Sequence, residues 1–245
     1  MSVVTVKEQG AVSIIAINRP EKGNAISRQV ALDLQAAFAA FDKSDQRVAV
    51  LTGEGERAFS TGADVTDLPE LWRCIPTVGI TTEKPIIAAT SGWVVGGALV
   101  AVMMADLCVA SETTRFSYPE ARLGFTGGMI AGLAGRIPHK IAMEIMLLGR
   151  PVDARRAYEA GLVNQVVAAG THVDEAVKMA SELAGYSPMV LKTIKRFVVE
   201  GVLPAGPSEQ MARTHRDLAV VRESEDAQEG IRAFKEKRAP NYVGR

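Results

Sequence analysis

The sequence lacks several features by which whole classes of protein are recognised. Its 245 residues include only two cysteines and three histidines, and aromatic side chains make up 5% of the chain. Two cysteines cannot form a disulfide framework, which favours a reducing, cytoplasmic location. No histidine has a partner at metal-ligand spacing, so we expect no metal. The 28 basic and 28 acidic side chains cancel, leaving no surplus of positive charge for nucleic acid.

One uncharged stretch is long enough to cross a membrane, but its composition is wrong for a span. It runs through residues 86–105, between Lys84 and Asp106. Polar residues and glycines at 90–92, and the pair Gly96-Gly97, divide it into two halves. We therefore expect a buried strand, a turn and a buried helix, and no membrane partner.

Short apolar strands alternate with helices over most of the chain, which is typical of an α/β fold. Strands are predicted at 12–18, 48–51, 107–110 and 162–167, and a loop of small residues at 59–64. A first helix capped by Ser27 is predicted from apolar residues at helical spacing: Ile26, Val30, Leu34, Phe38 and Phe41. Further helices are predicted at 138–148, closed by Gly149, and after the cap Asp153.

Beyond Val173 the strand signals disappear, and helical segments alternate with prolines. The sequence therefore predicts a core over residues 1–186 and a helical C-terminal region over residues 187–245.

Three short motifs could carry chemistry. Gly96-Gly97 predicts either a plain tight turn or a helix start whose free N–H groups bind an oxyanion. Thr61-Gly62-Ala63-Asp64 is a small-residue turn, and Glu120 follows Pro119 as a first-turn glutamate. Taken singly, each is an ordinary structural feature. The sequence has no serine-nucleophile elbow, phosphate-binding loop or dinucleotide fingerprint.

In combination, these features resemble the enoyl-CoA hydratase/isomerase family, also called the crotonase family. The motifs occur in the family's order and run nearly end to end: Asn18-Arg19-Pro20, Asn24-Ala25, residues 59–64, 84–89, 92–97, Asp106, Pro119-Glu120, Leu123-Gly124, residues 161–163, Ser187-Pro188 and residues 229–238. The resemblance implies an α/β fold, the crotonase-like (ClpP/crotonase) spiral of repeated ββα units in two roughly perpendicular sheets. It also implies that the C-terminal helices build a homotrimer or a dimer of trimers.

The resemblance further implies an acyl-CoA thioester substrate, with coenzyme A arriving as part of that substrate and no separate cofactor. By motif, the N–H groups of Ala63 and Gly97 would hold the thioester oxygen, and Glu120 would be the catalytic carboxylate. Other matched or nearby positions are assigned to CoA contact, namely Ala25, Ala63, Asp64, Val65 and Lys237, or to the acyl pocket, namely Val100, Trp93 and Phe125.

One departure from the family pattern bears directly on the reaction. Hydratases of this family hold water with two glutamates, and the first should lie three residues after Gly97. That residue is Val100 here, and valine cannot orient water or transfer a proton. The resemblance to the family's single-glutamate Δ3-Δ2-enoyl-CoA isomerases therefore favours isomerisation. Hydration, thioester hydrolysis or other enolate chemistry, and an inactive acyl-CoA-binding protein are the alternatives.

Overall fold

The computed structural model describes residues 2–245, and these residues form two sheets surrounded by helices. The ten strands of this part of the chain are β1 (Val4–Gln9), β2 (Val12–Ile17), β3 (Val48–Gly53), β4 (Ala58–Ser60), β5 (Ile86–Thr90), β6 (Trp93–Val95), β7 (Leu107–Ser111), β8 (Arg115–Ser117), β9 (Val152–Asp153) and β10 (Gln165–Val167).

The α-helices are α1 (Arg28–Lys43), α2 (Gly97–Met104), α3 (Glu120–Leu123), α4 (His139–Met143), α5 (Ala154–Glu159), α6 (His172–Ala184), α7 (Pro188–Phe197), α8 (Pro207–Arg222) and α9 (Glu225–Glu236). Short 3-10 helices lie at Pro20–Lys22, Leu71–Cys74 and Met129–Gly135, and π-helical turns at Glu144–Leu148 and Val198–Val202.

Consecutive strands are divided between the two sheets in a repeating way. The larger sheet has the order β1-β2-β3-β5-β7-β10, and the smaller has the order β4-β6-β8-β9. Each of the pairs β3/β4, β5/β6 and β7/β8 therefore places one strand in each sheet before the chain returns. Apart from the antiparallel pairs β1/β2 and β8/β9, neighbouring strands are parallel. This arrangement confirms the predicted α/β spiral of ββα units.

The main core lies between the two sheets and the helices α1 and α2, and a second cluster lies under α6. Every residue of β3 and β5 is buried, because helices cover both faces of this parallel sheet. Val48, Val50 and Ile87 on its outer face pack against Ala176 and Val177 of α6. The strands accordingly contain nearly continuous runs of Val, Ile and Ala instead of alternating polar and apolar residues.

Helix α1 forms as its sequence predicts. The hydroxyl of Ser27 accepts a hydrogen bond from the N–H of Val30 at 3.3 Å and caps the first turn. The apolar residues at helical spacing, among them Leu34 and Phe38, are at most 3% exposed. Burial of this stripe against β2 and the Leu71–Cys74 segment, more than intrinsic propensity, holds the helix in place.

The uncharged stretch contains the expected buried strand and buried helix, but a second strand, β6, which was not predicted, lies where a turn was expected. The stretch forms β5, β6 and α2, and seven of the eight residues of α2 are buried in the core. Among residues 2–245, no helix has both the length and the apolar character needed to cross a membrane.

Several predicted boundaries were wrong. The loop expected at residues 59–64 begins only at Thr61, because Ala58–Ser60 pairs with β6 as strand β4. The strand expected at 162–167 is confined to Gln165–Val167, and the helix expected at 138–148 becomes a π-helical turn after Met143. Strand β1 was not predicted at all. Its polar, largely exposed sequence gives no strand signal, and pairing with β2 determines its conformation.

Helical structure follows Ser187, as the loss of strand signals predicted. Helices α7, α8 and α9 occupy this region, and Ser187 and Pro188 mark its start. These helices expose large apolar side chains, including Met189, Phe197, Val220 and Phe234. The division of the chain at residues 186 and 187 stays a prediction, as does the trimerisation role.

Candidate active site

Two glycines turn the chain from β6 into α2. Gly96 has φ 59° and ψ −121°, a conformation that favours glycine, and Gly97 begins the helix. A Cβ atom on Gly96 would lie only 2.5 Å from Oε1 of Glu120. Glycine is therefore required at this position for two reasons, the backbone conformation and the close approach of a carboxylate.

A second small-residue loop, which follows β4, approaches the same point. Gly62 has φ 88°, and a Cβ atom there would lie 2.7 Å from the carbonyl oxygen of Val95 and 3.5 Å from the nitrogen of Gly97. Ile26 fixes this loop, since its N–H donates to Gly62 O and its carbonyl accepts from the N–H of Asp64, both at 2.8 Å. The two loops that sequence analysis singled out separately thus meet in the fold.

The meeting point offers two free backbone donors. Within residues 2–245, neither the N–H of Ala63 nor that of Gly97 donates a hydrogen bond to a backbone or side-chain acceptor. The bridge between Ala63 and Ile26 uses the groups on either side of Ala63, and Gly97 is at the start of α2. Unpaired N–H groups and the positive end of a helix dipole favour an oxyanion at this place.

A single carboxylate lies beside these donors. Glu120 is the first residue of α3, and its Oε1 lies against Gly96. Its Oε2 is buried and has no hydrogen-bond partner among the described residues. Burial raises the pKa of this carboxyl above its ordinary value. Such a group is a stronger base than an exposed glutamate and is suited to general acid–base chemistry.

Apolar side chains occupy the neighbouring positions. Val100 lies one helical turn after Gly97 and is 4% exposed. Leu71 packs against Gly97 from the 3-10 helix, with Cδ1 only 2.8 Å from where a Gly97 Cβ would be. Arg73 anchors that helix, because it donates to Gln35 of α1 at 3.0 Å and pairs with Glu223 after α8. Leu71 therefore covers Gly97 with aliphatic surface, and Val100 is a second aliphatic residue one turn along α2.

The structure adds a residue whose role sequence analysis missed. Nη1 of Arg19 donates to the carbonyl of Ala25 at 2.7 Å and to Oδ2 of Asp64 at 3.1 Å. Arg19 therefore joins two of the segments that were predicted to contact CoA. Hydrogen bonds from Thr66, and then Arg19, lower the pKa of Asp64. The motif Asn18-Arg19-Pro20 was part of the resemblance, but nothing in the sequence showed where the guanidinium points.

Other predicted site residues lie further out. Val65 is 82% exposed beyond Asp64, Trp93 is 42% exposed at the start of β6, and Phe125 is 61% exposed after α3. Only Phe125 has a described hydrogen bond to the site, from its N–H to Glu120 O at 3.3 Å. Lys237 is exposed at the end of α9, and no hydrogen bond or ion pair described for the chain links it to the loop around Ala63.

In the part of the chain that the structure describes, no group of three or more His, Cys, Asp and Glu side chains could hold a metal ion. The chemistry that this arrangement offers is stabilisation of an oxyanion with proton transfer by one carboxylate.

Comparison with known proteins gives relatives along the whole chain. The enoyl-CoA hydratase/isomerase family model matches residues 7–245. The (E)-benzylidenesuccinyl-CoA hydratase of Thauera aromatica is 32% identical, with 98% of this chain and 99% of the relative covered. The carnitinyl-CoA dehydratase of Proteus mirabilis is 33% identical, with 97% of each covered.

Solved structures agree with this fold. A carnitinyl-CoA dehydratase from Mycobacterium avium superposes with a TM-score of 0.78 at 34% identity, and all of both chains is covered. Because the match in sequence and in structure extends over essentially the whole chain, this protein belongs to the enoyl-CoA hydratase/isomerase family, and it is an acyl-CoA enzyme with the crotonase fold.

Proposed function

We propose that this chain is a Δ3-Δ2-enoyl-CoA isomerase in which Glu120 is the only acid–base group. The observation that carries the proposal is the buried aliphatic side chain of Val100, at the position where the family's hydratases have the first of their two glutamates. One carboxylate is sufficient to move a proton between two carbons of the same substrate.

The reaction follows from the two free N–H groups and the carboxylate. The N–H groups of Ala63 and Gly97 would bind the thioester oxygen and stabilise the negative charge that develops on it. Glu120 would take a proton from C2 of the 3-enoyl group, and the C2–H electrons would form a dienolate. As the dienolate collapses, a new double bond forms between C2 and C3, and Glu120 returns its proton to C4. No atom enters or leaves the substrate.

The environment of Glu120 suits both halves of this cycle. Because burial raises its pKa, the ionised carboxylate is a better base than a glutamate in water. The buried Oε2 has no partner in the described chain, so it is free to face a substrate carbon. Leu71 supplies aliphatic surface beside Gly97, and Val100 is aliphatic one turn further along α2; neither side chain offers a bound water a hydrogen-bond partner.

Binding of the CoA moiety is proposed for the loops that Arg19 joins. Ala25 would contact the ADP side of CoA, residues 63–65 would line the opposite side, and Lys237 would meet a phosphate. We propose no separate cofactor and no metal, since coenzyme A is part of the substrate and proton transfer needs neither.

Hydration of a 2-enoyl-CoA is the second candidate. It is favoured by the names of the relatives, among which are hydratases and dehydratases that share about a third of their residues with this chain. For this reaction a group other than residue 100 would have to hold the water. Glu120 would then protonate C2 or activate that water alone.

A paired assay separates the candidates. The purified protein is incubated with 3-hexenoyl-CoA and with 2-hexenoyl-CoA, and the products are resolved by mass and by double-bond position. Conversion of the first to its 2-enoyl isomer, with no water added to the second, is the expected result. Addition of water to the second substrate would refute the preference for isomerisation. Inertness toward both would favour a specialised acyl group or a binding protein without chemistry.

The carboxylate itself is tested by Glu120→Gln. We expect a loss of about 10²–10⁴-fold in kcat, the usual contribution of a positioned acid–base group, with CoA-ester binding retained. Glu159→Gln is the matched control, because Glu159 is exposed and, among residues 2–245, pairs only with Arg155. Full activity of the Glu120→Gln enzyme would contradict the proposal.

A further inference from the structure

A cavity lies at the C-terminal end of α2, the end opposite Gly97. Its volume is about 480 Å³, within the size range of small-molecule sites. The end of α2, strand β7 and the helix α7 form its walls, which are mostly aliphatic: Met103, Leu107, Leu162, Leu191, Ile194 and Val198. None of the residues assigned to the proposed active site lines it.

A poorly compensated cation forms part of this wall. Nη1 of Arg136 donates to the carbonyl of Gly132 at 2.8 Å, and Nη2 donates to Sδ of Met104 at 3.1 Å. A thioether is a weak acceptor, and Arg136 forms no ion pair with any residue from 2 to 245. Burial of this guanidinium lowers the pKa of Arg136, as expected for a charge that lacks a counterion.

The neighbouring charged groups leave the region one negative charge short. Glu209 also lines the cavity, but it is paired with Arg213 at 2.8 Å. Nε of Arg213 is buried and donates to no acceptor among the described residues. Asp106 and Lys195, elsewhere on the wall, pair with each other at 2.7 Å. The guanidinium groups of Arg136 and Arg213 therefore have only the carboxylate of Glu209 between them beside the aliphatic wall of the cavity.

We propose that this cavity binds a free medium-chain carboxylate, with the head group on Arg136 and the hydrocarbon chain along the aliphatic walls. One carboxylate would supply the missing charge and accept hydrogen bonds from the guanidinium. A hydrocarbon chain matches the aliphatic part of the walls. The inference is independent of the reaction proposed above, because it concerns the other end of α2.

Isothermal titration calorimetry of the full-length protein with octanoate tests this site. We expect saturable binding of one octanoate per chain, and at least tenfold weaker binding of 1-octanol, which has the same chain length without the charge. Arg136→Met, which keeps an unbranched apolar side chain in the wall, should weaken octanoate binding at least tenfold. Arg150→Met is the control, because the Arg150 side chain is exposed and forms no hydrogen bond within residues 2–245. This variant should bind octanoate as tightly as the wild type.

A second variant covers a possible folding defect of Arg136→Met. A Cβ atom on Gly132 would lie 2.7 Å from Nη1 of Arg136, so Gly132→Ala should displace the guanidinium without removing it, and weaken octanoate binding. Saturating acetyl-CoA should leave the octanoate affinity unchanged.

Four results would overturn the proposal. Equal affinities for octanoate and octanol would show that the charge of Arg136 does not contribute to binding. The same would follow if neither variant changed the octanoate affinity. Displacement of octanoate by acetyl-CoA would place it in the active site instead. No saturable binding would show that the cavity is closed in the native assembly, for example by a neighbouring subunit.

Discussion

At the scale of single residues, Glu120 shows how the same burial affects both chemistry and stability. Its ionised form is disfavoured in the folded protein, since burial raises the pKa of the carboxyl. Between the unfolded and folded pKa values the native state binds more protons than the unfolded state. The free energy of unfolding therefore falls as pH rises through that interval.

Glu120→Gln should consequently stabilise the protein at pH 7 and should not do so near pH 4. The amide carries no charge, so the variant escapes the desolvation penalty that the wild type experiences above the ordinary pKa of 4.5. Urea denaturation at the two pH values measures the difference. A lower stability of the variant at pH 7 would mean that an unrecognised partner compensates the carboxylate.

Val100 offers the reciprocal test, by restoring the residue type that hydration requires. We expect the Val100→Glu variant to hydrate 2-hexenoyl-CoA at a rate at least tenfold higher than that of the Val100→Gln variant, because only the glutamate can transfer a proton. Both variants bury a polar group and should lose stability, so the glutamine variant controls for disruption of the core. Equal rates in the two variants would show that residue 100 does not decide between isomerisation and hydration.

The sequence named most of the residues of the candidate site, but mainly through the resemblance. Taken singly, Gly96-Gly97 and Glu120 were indistinguishable from an ordinary turn and a first-turn glutamate. Only the fold places the carboxylate against Gly96 and the loop of Ala63 beside Gly97. Arg19 was missed because its partners, at Ala25 and Asp64, are 6 and 45 residues away along the chain.

At the scale of elements, helix α2 connects the oxyanion donors to the core. Its N-terminal glycine supplies an N–H, and its other seven residues are buried aliphatic or sulfur-containing side chains. The burial of α2 on all sides gives the donor a rigid support, which preorganised electrostatic stabilisation requires.

Gly97→Pro should remove that donor with little damage to the helix. Proline is well accepted at the first position of a helix, where its missing N–H breaks no helical hydrogen bond. Gly97→Ala is the matched control, since it keeps the N–H and adds the same Cβ contact with Leu71, at 2.8 Å. We expect kcat of the proline variant to fall about 10²–10³-fold below that of the alanine variant. Equal rates would exclude this N–H from the reaction.

Elements with a strong local signal were predicted correctly, and those defined by pairing were not. Helix α1 combines a serine cap with an apolar stripe, so local sequence was sufficient. Strands β1, β4 and β8 are polar or only three residues long. Their conformation comes from hydrogen bonds to distant strands, as in the pairing of Ala58 with Trp93, and no periodicity within the strand reports such a partner.

At the scale of the whole molecule, the C-terminal helices expose large apolar side chains. Phe197 of α7 is 63% exposed, Val220 of α8 is 70% exposed, and Phe234 of α9 is 87% exposed. Large apolar side chains exposed on neighbouring elements are typical of an interface. Leu191 and Ile194 of α7 line the cavity described above, whereas Phe197 does not.

We therefore predict that the full-length chain forms a homotrimer or a dimer of trimers through these helices. Light scattering coupled to size exclusion should give a mass of three or six times the chain mass of 26.1 kDa. Phe197→Glu, Val220→Glu and Phe234→Glu each place a charge on one helix. At least one of them should shift the assembly toward the monomer, because an unpaired charge in an apolar interface is costly. Lys235→Glu changes charge without removing apolar surface and should leave the mass unchanged. If the wild type is monomeric at micromolar concentration, the exposed surface must instead contact another kind of molecule.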